Sequence, residues 1–86
     1  MLERKKQKHF NLMVNYLEHI EVNPEKRFGR PVIKGTRITV YDMLNFLANG
    51  QQIEEILDDF PELTQADIKA CLAYAADKES RLRIAS

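Results

Sequence analysis

Apolar residues recur along this chain with two periods, and the change from one to the other divides it. Phe10, Met13, Val14 and Leu17 fall at i, i+3, i+4 and i+7, a spacing that predicts one face of a helix over 2–17. From Tyr16 to Val22 the pattern alternates, which places Ile20 and Val22 on one side of a short strand ended by Asn23-Pro24. Pro31-Val32-Ile33 and Thr36-Arg37-Ile38, separated by Lys34-Gly35, read as a two-residue hairpin. Gly35 supplies the positive φ that such a turn needs. Pro31 suits a strand start or an edge, because it has no N–H to give to a ladder.

After Ile38 the period becomes helical. Thr39 is a hydroxyl N-cap with Asp42 three residues on, and Val40, Met43, Leu44, Leu47 and Ala48 mark a helix face that Asn49-Gly50 ends. Ile53, Ile56, Leu57 and Phe60 mark a shorter helix over 52–60, closed by Pro61. Thr64, with Asp67 three residues on, opens a third helix over 65–77 whose core stripe is Ile68, Cys71, Leu72 and Ala75. A charged tail follows, with Leu82 and Ile84 as isolated apolar points suited to ordering on a partner. The expected fold is mostly α with a small β element: an N-terminal helix/strand and β-hairpin, then a tri-helical helix-turn-helix-like bundle. Its segments are an extension over 1–17, a domain over 18–79 and a tail over 80–86.

The charge balance adds a second division. The 86 residues carry 13 basic and 13 acidic groups, a formal net charge of zero. Residues 1–40 hold nine basic and four acidic groups, a net +5, and residues 41–86 hold four and nine, a net −5. Opposite halves point to a basic binding surface beside an acidic one, or to association of the two. A chain this short buries only about 60–65% of its unfolded surface, which favours oligomerisation.

Catalytic chemistry finds little support. His9 and His19 stand ten apart without an acid or thiol at useful spacing, and the three glycines match no phosphate loop. Glu54, Glu55, Asp58 and Asp59 read as a solvated acidic face rather than a metal cluster, since neighbours on a helix point about 100° apart. The single Cys71 lies in an apolar helical pattern and reads as a small buried hydrophobe. No cofactor and no metal are expected. No run reaches the roughly 18–20 apolar residues of a membrane span, and Asn11, Asn15, Glu18 and His19 break up any signal-type stretch, so a cytoplasmic location is expected.

Binding is better supported. Lys26, Arg27, Arg30, Lys34 and Arg37, with Phe28 among them, are placed to neutralise phosphates from one loop-hairpin surface. The competing reading pairs these cations with the acidic helices of the same or another chain. On the third helix only Gln65 and Lys69 are typical nucleic-acid readers, and Asp67 and Asp77 would repel a phosphate backbone. Ala66, Ala70, Ala73 and Tyr74 form a second apolar stripe beside the first, suited to a dimer or partner interface together with Leu82 and Ile84.

Several runs together resemble one prokaryotic family. They are Asn23-Pro24, the stretch Gly29-Arg30-Pro31-Val32-Ile33-Lys34-Gly35-Thr36-Arg37-Ile38-Thr39-Val40, and Leu47-Ala48-Asn49-Gly50. Glu54-Glu55-Ile56-Leu57, Pro61-Glu62-Leu63-Thr64 and Asp67-Ile68-Lys69-Ala70-Cys71-Leu72-Ala73-Tyr74-Ala75-Ala76 complete the pattern. The chain is similar over about 18–79 to the family numbered 433 among the domains of unknown function, whose members resemble VapB-type antitoxins. That resemblance implies a helix-turn-helix-like fold, pairing with a PIN-like ribonuclease toxin, repression of the chain's own toxin-antitoxin operon, and no enzymatic activity. Glu25-Lys26-Arg27-Phe28 departs from it in lacking the second glycine often seen before Gly29. The expected function is thus an antitoxin-like, homodimeric regulator binding double-stranded DNA. The alternative is a protein-interaction or dimerisation module without DNA binding, and RNA binding is a third.

Overall fold

In chain order a 3-10 turn (Asn15–Glu18) leads into strand β1 (Ile20–Val22), a second short turn (Arg27–Gly29) and strand β2 (Pro31–Ile33). Helices α1 (Val40–Ala48), α2 (Ile53–Asp59) and α3 (Gln65–Ala85) follow. This computed structural model describes residues 15–85, and their side chains over 16–80. Most of the helix expected over 2–17 lies outside the described residues. Its end is a single 3-10 turn in which Tyr16 is buried while Leu17, expected on the apolar face, is 64% exposed.

The strand expected before Asn23 is present, but its partner is not where the hairpin reading placed it. β1 pairs antiparallel with β2, Ile20 opposite Ile33, Glu21 opposite Val32 and Val22 opposite Pro31. Residues 36–38 form no strand; the segment returns to β2 through an isolated bridge between Val32 and Thr39 and a 2.9 Å bond from Ile33 N–H to Ile38 O. The turn at Lys34-Gly35 forms with Gly35 at φ 79, closed by Thr36 N–H donating to Ile33 O at 3.0 Å. Thr36 explains the lost strand. Its hydroxyl donates to Ile33 O at 2.9 Å and accepts Ile38 N–H at 3.0 Å, so a side chain takes bonds a ladder would otherwise use.

Two of the three helices begin at the caps the sequence announced. Thr39 Oγ1 accepts Asp42 N–H at 2.8 Å and Asp42 Oδ2 accepts Thr39 N–H at 3.2 Å, a reciprocal capping box. Thr64 and Asp67 repeat it at the start of α3, at 3.2 and 2.9 Å. At α2 the Glu55 carboxylate accepts Gln52 N–H at 2.7 Å. The third helix runs to Ala85, past the expected end at 77 and across the expected tail boundary.

Ile20 and Ile33 on one sheet face join Val40 and Met43 of α1, Ile56 of α2, Leu63, and Ile68, Ala70 and Cys71 of α3 in one core with Tyr16. Met43, Ile56, Ile68 and Cys71 are wholly buried. Phe46 stacks on Phe60 with centroids 5.7 Å apart, tying α1 to the end of α2. Val22, expected beside Ile20 on a buried side, is 61% exposed at the sheet's end.

Candidate nucleic-acid interface

The basic segment is shaped by an unusual turn. Arg27 (φ 48), Phe28 (φ 62) and Gly29 (φ 79) are all left-handed, in succession. A non-glycine residue in this region costs about 1–2 kcal/mol, so two together need support from outside the turn. Lys26 Nζ supplies one support, bonding Glu21 Oε2 and Thr36 O, each at 3.2 Å. Arg27 Nη1 supplies the other, donating to Arg37 O at 2.8 Å and to Asp42 Oδ2 at 3.0 Å. The glycine that the family resemblance led one to expect is missing from this same left-handed stretch.

Those bonds sort the five cations. Lys26 is committed to Glu21, and Arg27 to Asp42 at the start of α1. Pairing with acids of the same chain therefore accounts for two of them, and both partners lie close by rather than on the acidic α2. Arg30 lies over the Tyr41 ring, 5.7 Å from its centroid. Lys34 and Arg37 are exposed and form no ion pair among the described residues. Because residues 26 and 27 are bonded to residues 36, 37 and 42, the turn, the hairpin loop and the start of α1 form one continuous surface. Phe28 stands on it 95% exposed, and Tyr41 is 61% exposed. Asp42 stays ionised within it: burial raises its pKa, but the N–H and hydroxyl of Thr39 and the Arg27 guanidinium outweigh that and hold it below the usual carboxylate value.

The third helix differs from its expected surface. Asp67 is turned inward, its Oδ1 2.8 Å from His19 Nδ1, and Asp77 accepts the Tyr16 hydroxyl at 2.6 Å. Neither aspartate stands free to repel a phosphate. The outward stripe reads Gln65, Ala66, Lys69, Leu72 and Ala76. The second apolar stripe is largely taken up within the chain itself: Ala70 is 5% exposed, Ala73 and Tyr74 pack against the core, and Tyr74 meets Tyr16 edge-on at 5.4 Å. Of the expected interface residues whose side chains are described, only Ala66 is exposed. Leu82 and Ile84 lie on the last turns of α3, and their side chains fall outside the described ones.

The acidic residues Glu54, Glu55, Asp58 and Asp59 are all exposed on α2. In a helix-turn-helix dock the first helix crosses the nucleic-acid backbone, and these acids oppose that placement. Among the described residues no three His, Cys, Asp or Glu side chains gather as a metal site. None of the described helices is long and apolar enough to cross a membrane.

A two-stranded antiparallel sheet capped by three helices, with one cationic loop surface, defines a small mostly α class of protein. Residues 20–75 match the family described as "Protein of unknown function (DUF433)", and the chain belongs to that family. It is 34% identical over 58 residues to the uncharacterized protein y4eO of Sinorhizobium fredii (strain NBRC 101917 / NGR234), a stretch covering 67% of this chain and 26% of that protein. The chain thus spans about a quarter of that relative's length. The crystal structure of a DUF433 member protein from Anabaena variabilis ATCC 29413 has the same fold, with a TM-score of 0.69 at 23% identity over 92% of this chain and 76% of that one.

Proposed function

We propose that this protein is an antitoxin-like transcriptional regulator that binds double-stranded DNA, acts in the cytoplasm as a homodimer and neutralises a PIN-like ribonuclease toxin. The observation that carries the DNA-binding part is the set of cations that form no ion pair among the described residues, Arg30, Lys34 and Arg37, on one surface braced by Arg27 and Lys26. Each phosphate they neutralise releases counterions, so binding weakens steeply with salt. Gln65 and Lys69, on a stripe of α3 free of aspartate, support a second contact. Leu17 and Leu72, both exposed, support dimerisation, and the family resemblance supports the toxin partner. No catalytic role is assigned.

The test is binding of the DNA upstream of the protein's own gene across a salt series. Arg30→Ala with Arg37→Ala should weaken binding to all sequences alike and flatten the salt slope by about two. Binding indifferent to both substitutions removes the DNA role. The toxin part is tested by co-purification with the product of the neighbouring gene. A protein-interaction module without DNA affinity is the second reading, favoured by the exposed acids of α2 and indicated by co-purification without a DNA shift.

A further inference from the structure

Phe28 is the most exposed large apolar side chain among the described residues, and its backbone is held in a conformation that a bulky residue rarely adopts. The surrounding chain makes the turn rigid. Lys26 anchors it before Phe28, Arg27 anchors it immediately beside Phe28, and Gly29 and Arg30 close it through N–H bonds to Lys26 O at 2.9 Å and Arg27 O at 3.2 Å. A flexible loop would let the ring fold back onto apolar surface. Here the backbone beneath the ring is held by these bonds, and the ring stands 95% exposed.

The neighbours of the ring indicate what it meets. Arg37 lies where the Arg27 guanidinium touches down, Arg30 follows two residues after Phe28, and Lys34 sits on the adjoining hairpin turn. A protein pocket closing over Phe28 would have to desolvate these cations, a large cost without matching anions. A phosphate backbone neutralises them and leaves the exposed ring available to the bases. Proteins that kink duplexes use this combination of an apolar wedge between base steps and cations on the flanking phosphates.

Resting on the DNA-binding reading above, we propose that Phe28 is a wedge that inserts between base pairs of bound duplex DNA and kinks it. Rigid presentation means that insertion orders little further chain, so the unstacking of one base step is the main opposing cost.

The experiment uses a random-sequence duplex of roughly 20 bp with donor and acceptor dyes on its ends. Wild-type protein, Phe28→Ala, Phe28→Gly and Phe28→Leu are each added to saturation. Wild type and Phe28→Leu should bring the ends together, by a kink of roughly 20–90°. Phe28→Ala and Phe28→Gly should bind roughly tenfold more weakly and leave the duplex straight, the loss expected for one stacking contact. Thermal melts of the four proteins report folding, which an exposed side chain should not lower. Bending by Phe28→Ala equal to wild type overturns the wedge, as does wild-type binding to a duplex that stays straight. Preference for the single strand over the duplex also overturns it. So does unchanged DNA binding by Phe28→Ala with loss of a co-purifying protein, which would assign the ring to a protein pocket. Failure of the wild type to bind any duplex overturns the DNA-binding reading itself.

Discussion

His19 Nδ1 lies 2.8 Å from Asp67 Oδ1 across 48 positions of sequence, joining the start of β1 to the first turn of α3. The same aspartate accepts Thr64 N–H through Oδ2, so one side chain both caps a helix and clamps the sheet to it. Asp67→Ala should therefore destabilise by about 2 kcal/mol, adding a lost cap to a lost hydrogen bond. His19→Ala should cost about 1 kcal/mol. Urea unfolding of both single variants and the double variant measures the coupling; strict additivity would mean that the clamp contributes nothing.

Acid should weaken the brace of the basic turn. The folded pKa of Asp42 is depressed, so its contribution is present above the unfolded value of about 3.9 and declines as the pH falls through the folded one. The stability difference between wild type and Asp42→Asn should be constant above about pH 5 and shrink below about pH 4. Thermal melts across that range read it directly, and a difference independent of pH would contradict the sign.

Strain at Phe28 makes an opposite prediction for stability. With φ at 62 and no packing to lose, Phe28→Gly should stabilise by up to about 1 kcal/mol after glycine's greater unfolded-state freedom is subtracted. Arg27→Gly, also left-handed, should destabilise because it deletes the bonds to Arg37 O and Asp42. A pair of denaturation curves in which both variants move the same way would show that strain, or bracing, has been misjudged.

Cys71 should be chemically silent while the protein is folded. It is wholly buried, and that burial together with the Asp67 charge pushes its thiol up to about 12. Iodoacetamide near pH 8 should label it only as fast as the fold opens, and fully in urea. Labelling of native protein at the rate of an unstructured peptide thiol would contradict the packing.

Much of the fold is legible from neighbours in sequence. Thr39 with Asp42 and Thr64 with Asp67 announce two helix starts because a capping box is closed within four residues. The turn at Gly35 is equally local. Phe46, missed by the periodic stripe of α1, needed its stacking partner Phe60 from beyond α2 to count as buried surface. The expected arm 36–38 failed for a different reason, since a threonine hydroxyl outcompeted the ladder.

The candidate site was legible only as a cluster of charge and an aromatic. Its chemistry depended on which cations found partners: Glu21 is five residues from Lys26, whereas Asp42 is fifteen from Arg27 and reaches it through the fold. Glu21 of β1 meets Lys26 where the chain turns back after the strand, and Asp42 reaches Arg27 only because α1 starts beside the turn. The inward rotation of Asp67 and Asp77 likewise depended on His19 and Tyr16 lying against α3.

By itself the sequence determined where the helices begin, the mostly α character with its small sheet, the turn at Gly35 and the concentration of positive charge before α1. Hydrogen bonds within a few residues and apolar periodicity carry that information. Tertiary structure alone decided that β1 pairs with β2, that among the described residues Lys26 and Arg27 find carboxylates while Arg30, Lys34 and Arg37 do not, and that Phe28 projects from a left-handed turn. Those outcomes depend on distances between segments, where a carboxylate or carbonyl a few ångströms away overrides what the local residues would otherwise prefer.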